Sequence, residues 1–184
     1  MRRPWRQLTR RSLPFDVRGS TAQVRWLNRQ FEKAQAGNTS WLSRAMQEVI
    51  PFNRPHRLRV TKVSEDECVV VLPRRRRNLN HLGTMHACAL ATAAEYASGL
   101  TVLSVLGIGG ARLIMSNLNM TYVRRAESEC QAHALMSEEA RGELHEALGK
   151  EGKASFVLES RVLDAEGEVV ATAEITWHVK LLSA

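Results

Sequence analysis

Residues 87–110 read ACALATAAEYASGLTVLSVLGIGG, a run about long enough to cross a bilayer as one helix. It holds a single charged residue, Glu95, in its first half. In lipid, a central carboxylate would cost ~2.5–3.5 kcal/mol. The run is also diluted by Ala, Ser and Thr and closes on a glycine cluster. These features favour a long helix buried inside a folded protein. Glu95 then needs a reason to be there. Either a buried cation pairs with it, for which Arg112 or an arginine of the run 74–77 is available, or it opens onto a cleft.

The rest of the chain supplies the walls around such a helix. TAQVRWLNRQFEKAQAG puts Val24, Leu27, Phe31 and Ala34 on one helical face, and Gly37 and Asn38 suit its stop. SWLSRAMQEVIP aligns Leu42, Ala45, Met46 and Val49 before Pro51 ends it. From His56 the period changes to two. RLRVTKV and ECVVVLP flank the polar turn SEDE and predict a hairpin. After the long helix comes ARLIMSNLNMTYVRRA, whose alternation assigns Ile114, Leu118, Met120 and Tyr122 to one face. ECQAHALMS predicts another strand, and EEARGELHEALGKEG a helix, acidic at its start and with lysines near its end. ASFVLESRVLDAEGEVVATAEITWHVKLL predicts two strands around DAEG, the second alternating from Val169 to Val179. One apolar helix among many antiparallel strands predicts an α+β fold, with an antiparallel sheet wrapped around the long central helix and further helices in front. The 184 residues, 44% hydrophobic, fit one compact core. The expected division is residues 1–50, a basic arm and helical extension, and residues 51–184, the sheet domain.

Charge narrows the partners. Lys and Arg number 26 against 19 acidic residues, a net +7, concentrated in MRRPWRQLTRR and in RRRR at 74–77. Such a surface attracts nucleic acid, anionic lipid or a phosphate-bearing small molecule. Aromatics make up only 5% and do not interleave the basic runs, so nucleic-acid binding has no support. The first 20 residues lack a continuous apolar run and read as a loosely packed basic arm rather than a secretory signal. In one reading that arm tethers the protein to an anionic membrane. Three cysteines without a CxxC argue against a zinc site and suit a reducing cytoplasm. Cys88, near a helix start, could act as a nucleophile with His86 or His133, although a small buried cysteine is the commoner case. His81, His86 and Glu95 could ligate a metal, but the five-residue histidine spacing does not match one helical face. No metal and no cofactor is expected.

The order of elements, with NHLGTMHACALATAAEYASGL placed after the second strand, resembles the hotdog-fold thioesterases. The likeness is to the subfamily of phenylacetate-pathway and acyl-CoA thioesterases, and within it to an uncharacterised bacterial branch with an N-terminal helical extension. It covers about residues 50–182. Its strongest element is Asn80, Gly83, Thr84, His86 and Glu95 in that order. NMTYVRRA resembles the third-strand signature, and GKASFVLESRVLDAEGEVVATAE the closing hairpin. The resemblance implies hydrolysis of an acyl thioester, with Glu95 as base or nucleophile and Asn80 orienting water or carbonyl. It implies an oxyanion donor in the N–H of Ala87, with His86 beside it and Gly83 and Thr84 in the substrate-lining loop. It also implies a homodimer or dimer of dimers with sites shared between subunits. The alternative is an acyl or acyl-CoA binding protein of the same fold without catalysis. The chain departs from its relatives in carrying Ala87-Cys88 where many have Gly-Gly, and Met115 where some have a serine. Alternation turns Ser116 to the other face and gives Asn117 the face of Met115, where it could substitute for that serine at the substrate.

Elementary chemistry agrees with these roles. Thioester hydrolysis needs an activated nucleophile and a donor for the oxyanion. A helix start offers free N–H groups, and an apolar setting raises a carboxyl pKa. Arg124, Arg125 and Lys153 fall at strand ends or turns where the phosphates of coenzyme A could dock. The strand LIMSNLNMTYV is long and nearly uncharged, and pairing with its copy in a second subunit would remove an aggregation-prone edge.

Overall fold

The computed structural model describes residues 21–182, so the basic arm expected over 1–20 lies outside the described residues. Helices α1 (Thr21–Gln35) and α2 (Ser40–Val49) come first, then strands β1 (Arg59–Val63) and β2 (Glu67–Leu72). The long helix α3 (Ala87–Leu106) follows, then β3 (Ala111–Tyr122), β4 (Cys130–Leu135), helix α4 (Glu138–Glu151), β5 (Lys153–Leu163) and β6 (Val169–Leu181). The six strands form one antiparallel sheet in the order β1-β2-β4-β5-β6-β3. It packs on α3 through β1 to β6, most closely through β4, β2 and β5.

Why α3 has no polar face follows from where it lies. Ala93, Ala94 and Ala97 are fully buried and small enough for the strands to approach closely. Its buried hydroxyls bond within the fold: Ser98 Oγ donates to Glu95 O at 2.8 Å and Thr101 Oγ1 to Ala97 O at 3.0 Å. Of the described helices it alone is long and apolar enough to cross a membrane, and most of it is buried in the fold.

The alternation predicted for β6 holds from Ala171 to Val179, with Ala171, Ala173, Ile175, Trp177 and Val179 all facing the core, but at the start of the strand Val170 rather than Val169 is buried, beside a register shift in the pairing with β5. In β3 it does not hold throughout. A bulge at Ser116 sets Met115 opposite Trp177 but Asn117 opposite Thr176, one step along. Leu118 and Met120 therefore face inward while Ile114, opposite His178, is 52% exposed. The expected common face of Ile114 and Leu118 is thus broken, because one extra residue flips the side-chain parity. β3 pairs with β6 on one side and has no other strand partner among the described residues.

The two N-terminal helices share the core of the sheet. Leu27, Phe31, Ala34, Leu42, Ala45 and Met46 are buried in one cluster with Val60, Leu100 and Ile175. α2 is tied to β1, where Val60 N donates to Ser43 Oγ at 2.8 Å. α1 is tied to the loop after α3: Ile108 N donates to Asn28 Oδ1 at 2.8 Å and Asn28 Nδ2 donates back to Ile108 O at 3.0 Å. Together they bridge the space between the β1 edge of the sheet and the start of β3.

Candidate functional site

The loop before α3 is built on two asparagines. Asn78 is fully buried. Its Nδ2 donates to Pro73 O at 2.9 Å and His56 O at 3.0 Å, its Oδ1 lies 3.0 Å from His56 Nδ1, and its main-chain O accepts from His86 N at 2.8 Å. Asn80 closes the next turn on itself. Its Oδ1 accepts from Leu82 N at 2.9 Å and Thr84 N at 3.2 Å, and its Nδ2 donates to Thr84 Oγ1 at 2.8 Å. Gly83 sits at φ +76°, which the turn requires and a side chain would resist, and its O accepts from Arg74 Nη2 at 3.0 Å. Met85 N then donates to Ala126 O at 2.8 Å, holding the loop against the segment after β3.

That loop delivers the start of α3 to solvent. His86 is the N-cap, and its Nδ1 accepts from Cys88 N at 3.0 Å, which makes Nδ1 the unprotonated nitrogen. Ala87 is exposed, and its N–H has no hydrogen-bond partner among the described residues, as an oxyanion donor requires. Its carbonyl accepts from Tyr122 Oη at 3.0 Å. Cys88 is exposed rather than buried. His133, offered as its partner, instead lies 2.9 Å from Glu67 Oε1 on the outer face of the sheet.

Glu95 lies on the third turn of the same helix and has a different setting. It is half-buried, and desolvation pushes its carboxyl above the usual range. Among the described residues it has no hydrogen bond and no ion pair through its side chain. The pairing with Arg112 is therefore not seen: Arg112 is exposed, and the register sets it opposite the exposed Lys180. Glu95 opens on a cavity of about 700 Å³. Gly99 and Leu103 continue its stripe along α3, and α1, α2, the loop at Ile108, the start of β3 from Ala111 through Arg112 to Leu113, Trp177 and Leu182 complete the walls. Trp177 is fixed there by its Nε1, which donates to Ser98 Oγ at 3.1 Å, and it needs Gly99, where a Cβ would already stand 3.4 Å from the indole.

The remaining predicted residues do not gather in one place. The bulge turns Asn117 to the outer face, so it does not share the face of Met115. Arg124 is ion-paired with Asp164, whereas Arg125 is exposed and has no ion pair among the described residues. Lys153 lies opposite Lys180, at the end of the sheet where β3 begins. It is thus about 30 Å of strand away from Arg124 and Arg125, which follow the end of β3. Ala87 and Glu95 are separated by about 12 Å along the helix axis, at 1.5 Å per residue. Among the described residues no group of three or more His, Cys, Asp or Glu is placed to hold a metal. Sequence reasoning missed Asn78, Tyr122 and the Ser98–Trp177 pair; only the crowding of asparagines in NLN pointed at the first.

The model of a domain of unknown function, DUF4442, matches residues 38–179. The chain belongs to that family. No curated protein matches the sequence. Among solved structures, it is similar to PA5026 of Pseudomonas aeruginosa, a protein of unknown function described as a probable thioesterase. Identity is 27% and the TM-score 0.70, over 77% of this chain and 95% of that one. A variant of the thioesterase SAV0944 from Staphylococcus aureus matches at 13% identity and TM-score 0.59, over 71% of this chain and 98% of that one. A variant of the Pseudomonas aeruginosa thioesterase PA1618 matches at 15% and 0.62, over 78% and 94%. The family's fold in this chain is the hotdog fold: a long helix held in an antiparallel sheet, as the sequence resemblance implied.

Proposed function

We propose that the protein hydrolyses an acyl thioester, with acyl-CoA as the substrate class and Glu95 as the base or nucleophile. One observation carries this reading: a half-buried carboxyl, raised by desolvation and lacking any partner among the described residues, opens on an apolar cavity. A carboxylate held this way is a stronger base than one in water. As base it takes a proton from water, whose oxygen adds to the thioester carbonyl; the C–S bond then breaks and the thiolate leaves with that proton. As nucleophile its oxygen adds to the carbonyl, the C–S bond breaks and the thiolate leaves, giving a mixed anhydride; water then cleaves that anhydride to the free acid and restores the Glu95 carboxyl, with a proton passing to the thiolate. PA5026, described as a probable thioesterase, supports the class of reaction. SAV0944 has been crystallised as two variants, one replacing a Gln and the other a Glu, and those two positions stand as far apart in sequence as Asn80 and Glu95 do here.

The separation of about 12 Å between Glu95 and Ala87 on one helix prevents both from reaching one carbonyl carbon and its oxygen within a subunit. A homodimer resolves this. Two-fold pairing of β3 with its copy would carry the helix start, Arg125 and the 74–77 run of one subunit towards the Glu95 end of the other, because antiparallel strands exchange ends. Ala87 N–H would then hold the oxyanion, with Asn80 shaping the loop and the free arginines taking the phosphates of coenzyme A. Residues 51–184 would form the hotdog unit of that dimer and residues 1–50 its extension.

A second reading, acyl-CoA binding without turnover, is favoured by one feature: Asn80 spends its amide oxygen on Leu82 N and Thr84 N and one of its two amide protons on Thr84 Oγ1, so most of its hydrogen bonding serves its own turn. Thiol release from acyl-CoA by wild type and by Glu95→Gln separates the two. Loss of turnover in the variant with ligand binding kept supports hydrolysis, and equal turnover in both ends it. Sedimentation across concentration, alongside specific activity, tests the shared site. A monomer with full turnover would defeat it.

A further inference from the structure

We propose that helix α1, which lies outside the residues matched by the family model, is the end wall of the acyl pocket and sets chain length, so that the preferred substrates are linear aliphatic thioesters of about eight to ten carbons. This rests on the reading of Glu95 as the reacting end of the site.

The direction of the cavity is fixed by α3. Glu95, Gly99 and Leu103 stand four residues apart on one helical face and all line it. A chain whose carbonyl meets Glu95 can run past Gly99 and along the Trp177 indole packed on it towards Leu103. Beyond Leu103 the way is closed by α1. Asn28 holds Ile108 by two hydrogen bonds, and Gln35 Nε2 reaches Ser104 O at 3.5 Å. Val24 packs so tightly on Gly109 that a Cβ there would come within 2.6 Å of Val24 Cγ1. Leu27, one residue before Asn28 and 1% exposed, lines the cavity at this end.

The available length follows from helix geometry. Glu95 to Leu103 spans about 12 Å at 1.5 Å per residue. An extended chain advances about 1.3 Å per bond, since three bonds cover about 3.8 Å. The stretch therefore accommodates about eight to ten carbons. A volume of about 700 Å³ is ample for such a chain. The walls are mostly aliphatic: Tyr96 and Trp177 are the aromatic members, and Glu95 and Arg112, the latter exposed on the outward register of β3, are the charged ones. Along α3 itself, Gly99, Leu100 and Leu103 offer no polar side chain to a polar or charged acyl group.

The test uses S-alkyl-CoA thioethers from two to sixteen carbons, which cannot be hydrolysed, bound to the wild-type protein and measured by calorimetry. Affinity is expected to rise about fourfold per methylene and to stop rising at about eight to ten carbons. Leu27→Ala should move the stop to longer chains. Because Leu27 is also a core residue, Leu103→Phe is the second variant: it should move the stop about two carbons shorter, with circular dichroism confirming the fold. Affinity flat from two to ten carbons, a rise that continues to sixteen, or a stop unmoved in folded Leu103→Phe would overturn the proposal. Thiol release from the matching acyl-CoA series keeps the two readings apart. A thioether series that follows the rule without any wild-type turnover sinks the hydrolase and leaves the pocket. Turnover with flat thioether affinities sinks the pocket and leaves the hydrolase.

Discussion

The two ends of the first half of α3 treat polar atoms in opposite ways. At its start, the side chains of Asn78, Asn80, Thr84 and His86 each bond to a neighbour in or beside the loop. On its third turn, Glu95 carries a carboxyl into an apolar wall with no partner among the described residues. A satisfied polar loop holds a backbone in place. A lone half-buried acid is a cost to folding, retained where chemistry uses it. Under the proposed function, the contrast gives the loop the task of positioning and Glu95 that of reaction, with the N–H of Ala87, unbonded among the described residues, as the product of the loop.

The sharpest way to break this division is at the acid itself. Glu95→Gln keeps the shape and removes the base, and kcat/KM for an acyl-CoA should fall about 10²- to 10⁴-fold. In the wild type, kcat/KM should rise with pH through a midpoint above the usual carboxylate range, because the deprotonated form is the active one and burial holds the proton on. A profile flat from pH 5 to 8 and a fully active variant would place the chemistry elsewhere.

At the helix start the same logic predicts losses of stability. Asn78→Ala strands His56 O, Pro73 O and His56 Nδ1 in a buried site, and chemical denaturation should show a loss of about 2–4 kcal/mol. Asn80→Ala opens a half-exposed turn and should lose about 1–2 kcal/mol, with activity falling in step as Ala87 moves. If Asn80→Ala abolishes turnover at unchanged stability, Asn80 contacts the substrate directly and the comparison must be redrawn.

Much of this molecule was legible in its sequence. The alternation in β6 and the apolar run of α3 fix which atoms enter the core, since burial follows period. The stripe of Leu27, Phe31 and Ala34 was readable for the same reason. The bulge at Ser116 was not: a one-residue insertion leaves the residue types of LIMSNLNM unchanged and alters only their pairing. It reversed Ile114 and Asn117 together. At the site, a lone acid in an alanine-rich run drew attention to Glu95 by composition alone. The role of Asn78 was hidden because two of its three contacts lie 22 residues away at His56, and its partners are two main-chain oxygens and a ring nitrogen, which residue type does not announce.

A smaller effect sharpens the cost side of the comparison. The Glu95 carboxyl holds its proton more tightly in the folded chain than in the unfolded one. Folding is therefore unpenalised below the ordinary carboxylate range, and stability is lost as pH rises through the raised value. Glu95→Gln lacks that loss. Its Tm should exceed wild type at about pH 7, and the gap should close by about pH 4. Equal Tm values at neutral pH would mean that the acid is stabilised by a group outside the described residues.

The smallest expected effect extends the contrast from carboxylates to arginines. Arg124 and Arg125 are neighbours in sequence, yet Arg124 pairs with Asp164, whose carboxylate also caps the β5–β6 turn by accepting from Glu166 N and Glu168 N. Arg125 is exposed and unpaired among the described residues. By the rule that partnered groups position and unpartnered ones act, Arg124→Ala should lower Tm and leave KM near its wild-type value once folded protein is counted. Arg125→Ala should do the reverse. An exposed charge pair is worth ~0.2–1 kcal/mol, so KM for acyl-CoA should rise about two- to fivefold with kcat unchanged. The difference should shrink towards 1 M salt, where the screening length falls to ~3 Å. Repeating the measurement with a pantetheine thioester, which lacks the nucleotide phosphates, isolates the cause. Arg125→Ala should leave KM for that substrate unchanged, whereas an equal rise for both substrates would show that Arg125 shapes the pocket and does not dock a phosphate.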